Sequence, residues 1–280
     1  MPIGCLTVAS ARSWVAWHRY LEEGAGMPEG DTVFRTAKLL DDALGGRILT
    51  GCDIRVPRSA TVDLSGQRVE GVIARGKHLF IRVGGASIHS HLKMDGSWRI
   101  MPAGRPGPTW NHRIRAVLTT DDSVAVGTSL GILDVVDRRR EGDVVGHLGP
   151  DLLGTDWDPD VAVERLIARS DEALSAALLD QRVMAGIGNV YSNELCFLAG
   201  LLPTTAVGRL GDPAGLVERA HTLMHANKDS YRRTTTGDPR SGRELWVYGR
   251  HGKPCRRCGT PIARDQGLPR VAYWCPNCQR

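Results

Sequence analysis

The sequence contains no uncharged apolar run close to the roughly 18–20 residues that a membrane helix needs, which excludes a helical membrane protein. Residues 1–26 include Arg12 and Arg19 but no compact apolar stretch with a small-residue cleavage site. No secretory signal is read there, so the expected location is the cytoplasm. No solenoid or blade period recurs, which argues against a repeat architecture. Before the last 26 residues cysteine is scarce: Cys5, Cys52 and Cys196 stand singly, without a nearby histidine in a nucleophile signature. That spacing is not a disulfide framework, and each of the three is expected to be a small buried or incidental side chain. A net charge of +5 excludes nothing by itself.

What the chain does have is 280 residues, enough to bury a substantial core in one large domain or a few small ones. Its charge is unevenly placed: Arg232 to Arg280 carries 11 Lys/Arg against 3 Asp/Glu. Such a local excess fits a phosphate-binding surface, and it also fits a solvated face. From Asp31 to Leu44, apolar residues at helical spacing (Val33, Ala37, Leu40, Leu44) predict an amphipathic helix, with Asp31 as its N-cap and Gly45-Gly46 as its stop. Short β-rich runs follow between Arg47 and Asp137, punctuated by Gly, Pro, Asn and Asp, and predict an antiparallel sandwich or barrel. Beyond Pro150 the pattern turns helical over 159–168, 172–180, 189–199 and 213–227. The fold class expected is α+β and multidomain.

Three motifs carry chemistry. Cys255-x2-Cys258-x16-Cys275-x2-Cys278 places four thiolates so that they can close a tetrahedral Zn²⁺ site with no open position, which is structural rather than catalytic. Arginines and the pair Tyr273-Trp274 flank it, consistent with nucleic-acid contact or with a protein-interaction ribbon. Gly186-Ile187-Gly188-Asn189-Val190-Tyr191 precedes a helix, where free N–H groups can approach an anion and Asn189 can cap the helix or bond a phosphate. Met27-Pro28-Glu29-Gly30-Asp31 presents a secondary amine if the chain starts at Pro28. An α-amino group titrates near pH 8, roughly, so a useful fraction is unprotonated at neutral pH and can attack a sugar C1′. Glu29 could then move the proton. A Pro-Glu turn before a helix is the bland reading.

Together these motifs resemble one family, the formamidopyrimidine-DNA glycosylases and endonuclease VIII. The resemblance runs from Met27 to Arg280 through Arg75-Gly76-Lys77-His78-Leu79, Ser90-His91-Leu92, His147-Leu148-Gly149-Pro150, Leu178 to Gln181, Gly186 to Glu194, and Val247-Tyr248-Gly249-Arg250. It implies an N-terminal helix with an antiparallel β-sandwich (27–150), a helical helix-two-turns-helix domain (151–243) and a C-terminal zinc-finger β-hairpin (244–280). It further implies a bifunctional glycosylase and AP lyase that excises oxidised bases from damaged DNA, needs one structural Zn²⁺ and no nucleotide cofactor, and acts as a monomer. By the same resemblance Pro28 is the Schiff-base nucleophile, Glu29 the acid/base, Lys77 a phosphate contact that assists elimination, and Arg270 the arginine beside the flipped nucleotide. Asn189 is the phosphate-binding Asn. Lys93 and Met94 stand where the family inserts a wedge into the gap left by base flipping.

One departure is informative. The branch specialised for oxidised purines carries an Asp-Pro-Arg-Arg-Phe-Gly loop; this chain has Thr128-Ser129-Leu130-Gly131-Ile132-Leu133 in about that place. Oxidised pyrimidines are therefore the expected substrates. Arg138-Arg139-Arg140 fits a phosphate contact or a solvated loop, and His89 with His91 fits structural histidines better than a metal pair. The rival from another class is a catalytically silent DNA-binding protein of the same fold, against which Pro28, Glu29 and Lys77 all speak. Residues 1–26 are expected to be a non-native leader, with translation starting at Met27. Met1-Pro2 is followed by Ile3 instead of Glu, and Glu22-Glu23-Gly24 would be encoded by purine-rich codons resembling a ribosome-binding site.

Overall fold

A computed structural model describes residues 27–104 and 111–280; the expected leader and Cys5 lie outside the described residues. The first helix, α1 (Gly30–Leu44), buries the stripe Val33, Ala37, Leu40 and Leu44. Burying the larger of these side chains contributes about 1.5–3 kcal/mol each. The N-cap lies two residues earlier than the sequence suggested, at Glu29 rather than Asp31. Neither carboxylate caps it in the usual way, because both are committed to other partners described below.

Eight strands follow: β1 (Gly51–Ile54), β2 (Val69–Arg75), β3 (His78–Val83), β4 (Ala86–His91), β5 (Ser97–Pro102), β6 (Ile114–Thr119), β7 (Ser123–Thr128) and β8 (Ile132–Asp137). They form two antiparallel four-stranded sheets, ordered β2-β3-β4-β8 and β1-β6-β7-β5. Leu79, Ile81, Val83 and Ile88 of one sheet share a core with Trp98, Ala116, Leu118 and Ala125 of the other and with the α1 stripe. Alternation of inward and outward side chains makes such a sandwich. A short helix α2 (Glu141–Val145) follows a 3₁₀ turn over Arg138–Arg140, where a loop was expected. Those arginines are spent on neighbours, Arg138 on Glu70, Arg139 on Asp137 and Arg140 on Asp143.

The helical part packs α3 (Pro159–Ile167), α4 (Leu174–Leu179), α5 (Asn189–Ala199) and α6 (Pro213–Asn227) around Leu166, Leu178, Ile187, Tyr191, Leu195 and Met224. Both α3 and α6 begin with an Asp cap and a proline in the first turn, which fixes their starts. The last module contains only a three-residue hairpin, β9 (Ala263–Asp265) with β10 (Ala272–Trp274), and a small core of Val247, Cys255, Ile262 and Cys275 against Phe197 of α5. No helix among the described residues is long and apolar enough to cross a membrane.

Candidate active site

Two of the motifs, distant in sequence, interlock. Gly30 N–H donates to the Gly186 carbonyl at 2.9 Å, and a Cβ on Gly30 would lie 2.9 Å from the Gly186 Cα. Gly186 itself sits at φ 114°, which other residues rarely adopt. A Cβ on Gly188 would meet the Glu29 carboxyl carbon at 2.4 Å. The glycines are therefore required by the approach of residues 28–30 to the turn between α4 and α5.

Glu29 is fully buried, and its carboxylate accepts hydrogen bonds from the backbone N–H groups of Gly188 (2.9 Å), Val190 (2.7 Å) and Tyr191 (3.3 Å). The anion site of the α5 N-terminus is thus filled by the protein's own carboxylate. Pro28, partly exposed, stands immediately before it.

Lys77 enters from the β2–β3 turn and its Nζ donates to the Ile187 carbonyl of the same α4–α5 turn. Asp151 holds that β turn by accepting the Gly76 N–H at 2.6 Å. Burial, aided by the nearby charges of Arg270 and Arg233 and opposed by Glu29, pulls the Lys77 ammonium down to about 8. The amine is then still mostly protonated at pH 7, with a neutral fraction of about a tenth, far above that of an ordinary lysine. Arg270 is exposed in the β9–β10 loop. Asn189 is not a helix cap; Gly188 takes that position, and Asn189 Nδ2 donates to the Val271 carbonyl at 2.9 Å. It thereby ties the hairpin, one residue past Arg270, to α5.

Met94 is 53% exposed at the tip of the β4–β5 turn. Lys93 adopts φ 55°, and its N–H donates to His91 Nδ1 at 3.0 Å. The side chain of Lys93 lies over Gly131, where a Cβ would meet its Cγ at 2.2 Å. His78 Nδ1 and His89 Nε2 share a hydrogen bond of 2.9 Å, so these histidines are satisfied within the sheet. Cys196 is buried, and burial pushes its thiol up to about 12, so it is no thiolate nucleophile.

The only set of at least three His, Cys, Asp or Glu side chains placed to hold a metal ion among the described residues is Cys255, Cys258, Cys275 and Cys278, with all four sulfurs within 4.8 Å of one another. The Cys258–Cys275 and Cys255–Cys278 sulfurs are 3.4 and 3.9 Å apart. A tetrahedron with Zn–S bonds of about 2.3 Å has sulfur edges of about 3.8 Å, so the set fits one Zn²⁺. Its role there is structural.

Comparison with known proteins matches the Formamidopyrimidine-DNA glycosylase N-terminal domain over residues 27–144, the Formamidopyrimidine-DNA glycosylase H2TH domain over 148–227, and a zinc finger found in FPG and IleRS over 252–280. The chain is 61% identical over 253 residues to the DNA-(apurinic or apyrimidinic site) lyase Nei2 of Mycolicibacterium smegmatis, covering 90% of this chain and 99% of that one. It belongs to the formamidopyrimidine-DNA glycosylase and endonuclease VIII family. Endonuclease 8 2 of Mycobacterium tuberculosis is 57% identical over 91% of this chain and all of its own. The formamidopyrimidine-DNA glycosylase of Corynebacterium urealyticum is 31% identical over 90% of this chain and 99% of its own. Among solved structures, MutM in complex with carbocyclic 8-oxo-G containing DNA shares the fold at a TM-score of 0.76 and 23% identity, covering 90% of this chain and 100% of that one.

Three side chains that hold the family site together gave little sign of themselves in the sequence. Arg233 reaches from the loop after α6 to Asp31, with bonds of 2.7 and 2.5 Å. Glu194 of α5 is buried and accepts the N–H groups of Trp246 (2.7 Å), Val247 (2.9 Å) and Tyr248 (2.8 Å), docking the zinc module. Asp151 is the third. For Glu194 the available signals were its place at the end of the Gly186 to Glu194 motif and its being the one charged residue of α5; a lone arginine in an arginine-rich loop offers none.

Proposed function

We propose that this protein is a bifunctional DNA glycosylase and AP lyase of base-excision repair, acting on oxidised bases with pyrimidines favoured, as a monomer in the cytoplasm. The observation that carries this reading is the seat of Glu29: a buried carboxylate on three backbone N–H groups, one residue from Pro28, with Lys77 bonded to the same turn. In the form that begins at Pro28, the proline nitrogen uses its lone pair to bond C1′ as the C1′–base bond breaks. The base leaves with the electrons of the broken C1′–base bond and takes up a proton from solvent. Glu29 accepts the proton from the new ammonium and delivers it to O4′ as the C1′–O4′ bond opens, leaving an iminium. Loss of the C2′ proton and departure of the 3′ phosphate then cut the strand, with Lys77 as the amine placed to assist. Arg270 and Asn189 serve the phosphates beside the flipped nucleotide, and Met94 with Lys93 fills the vacated stack.

The expected substrate order follows from Thr128 to Leu133, which lacks the arginine and phenylalanine of the purine-specialised loop. Borohydride trapping and single-turnover cleavage across a panel of lesion duplexes should find oxidised pyrimidines processed faster than 8-oxoguanine opposite cytosine. Faster 8-oxoguanine removal would reverse the assignment.

Affinity for an abasic-site duplex should also fall steeply with salt. At a slope of about −0.9 per neutralised phosphate, four contacts from Lys77, Arg270 and the arginines of the zinc module cost about a hundredfold between roughly 50 and 200 mM. A flat titration would remove these residues from the DNA surface.

A further inference from the structure

Arg233 is the buried cation that the reaction described above does not use. Its side chain is 12% exposed, too enclosed to grip a phosphate. All its partners belong to the proline segment or its seat. Nε and Nη2 form a fork on the Asp31 carboxylate at 2.7 and 2.5 Å, and Nη2 also donates to the Thr32 hydroxyl at 3.2 Å. Nη1 donates to the Met27 carbonyl at 3.4 Å and lies 3.8 Å from Glu29 Oε1. The guanidinium carbon stands 5.0 Å from the centre of the Tyr191 ring, whose hydroxyl donates to Asp31 at 3.0 Å.

The Met27 oxygen and the Pro28 nitrogen share one carbonyl carbon, which sets them about 2.3 Å apart. Nη1 therefore lies within about 6 Å of the Pro28 nitrogen. When the acyl group is gone, this cation faces the amine directly. The surroundings hold two carboxylates, Glu29 and Asp31, which favour a protonated amine. Arg35 on α1, Lys77 from the β2–β3 turn and Arg270 from the hairpin supply the other positive charges, and Tyr191 and Tyr248 the neutral titratable groups.

We propose that Arg233 is a positioning residue for the proline nucleophile: through Glu29, Asp31 and Thr32 it docks the segment after Pro28, and it supplies the charge that keeps the Pro28 amine unprotonated. Without it the two carboxylates are uncompensated, and the amine holds its proton to higher pH. The asymmetry with Asp31 is useful. Removing Arg233 raises the pH at which the nucleophile becomes active, whereas removing the Asp31 charge lowers it.

This inference rests on Pro28 as the nucleophile, so the test uses the chain that begins at Pro28. Cyanoborohydride trapping on an abasic duplex is followed from pH 5.5 to 9 for the wild type, Arg233→Gln, Arg233→Lys and Asp31→Asn, each checked for folding by thermal melting. For Arg233→Gln the midpoint should rise by about one to two pH units, with trapping down about 10- to 100-fold at pH 6.5 and recovering toward pH 9. Arg233→Lys should return the midpoint toward the wild type, and Asp31→Asn should move it down. A uniform loss of trapping at every pH, with the midpoints unmoved, would make Arg233 structural only and overturn the inference. If Arg233→Gln does not fold, an Asp31→Asn midpoint that stays put or rises overturns it equally. A wild type that is not trapped at any pH sinks Pro28 as the nucleophile instead.

Discussion

A chain whose first residue is Pro28 forms a covalent complex with an abasic duplex under borohydride, and a chain with Met27 or anything further attached does not. The reason is electronic. An amide nitrogen has its lone pair delocalised into the carbonyl and cannot attack C1′, whereas a free secondary amine can. The bonds that seat the segment, from Gly30 to Gly186 and from the α5 N-terminus to Glu29, involve no residue before Glu29. Binding to DNA should therefore survive the extension while trapping falls to background. In the short form, Pro28→Gly should impair trapping, and Glu29→Gln should slow it by about 10²- to 10⁴-fold, the usual contribution of a positioned acid/base. N-terminal sequencing and intact mass fix which form is in the tube. If the extended chain, with Met1 or Pro2 confirmed first, is trapped as well as the short one, Pro28 is not the nucleophile.

The order of elements was legible in this sequence because each region carries its own local signal. Residues Val33, Ala37, Leu40 and Leu44 repeat as a helix, and the short β-rich runs from Val69 to Val136, cut by turn residues, became the strands of a sandwich. The four cysteines were legible for another reason, since thiolate spacing maps onto a coordination tetrahedron with few alternatives. What could not be read was the long-range polar wiring. Asp31 looked like a cap because its position relative to the apolar stripe is that of a cap, but a cation some 200 residues away claims its carboxylate. Asn189 also looked available as a cap, yet Gly188 takes that position and the Asn189 amide ties α5 to the backbone of the zinc hairpin, a bond with no sign in the sequence. Ion pairs and side-chain to backbone bonds across such separations have no period and no spacing, so they become visible only once the fold has closed the distance.

Removing zinc should uncouple the hairpin while leaving the rest of the protein folded. The hairpin has three residues a strand, and a two-stranded ribbon of that size is not stable in water without help. Its apolar support is small, and two of those residues, Cys255 and Cys275, are themselves ligands. Metal affinity in such modules supplies folding free energy of about 10–16 kcal/mol, so the module has no other source of comparable size. The loss stays local because the sandwich and helical cores share no residue with it, its apolar contacts to α5 being made by Phe197 and Leu198. What is lost is the placement of Arg270, held through the bonds from Asn189 to the Val271 carbonyl at 2.9 Å and from the Tyr273 N–H to Asn193 at 2.6 Å. Native mass spectrometry should find one zinc per chain. Cys275→Ser should keep most of the far-ultraviolet circular dichroism but bind an abasic duplex about 10- to 100-fold more weakly, the scale of one or two lost charge-assisted bonds to phosphate. Arg270→Ala in the zinc-loaded protein should reproduce most of that loss, which separates the arginine's contribution from the metal's. A metal-free protein with full affinity for DNA would show that zinc holds nothing the DNA requires.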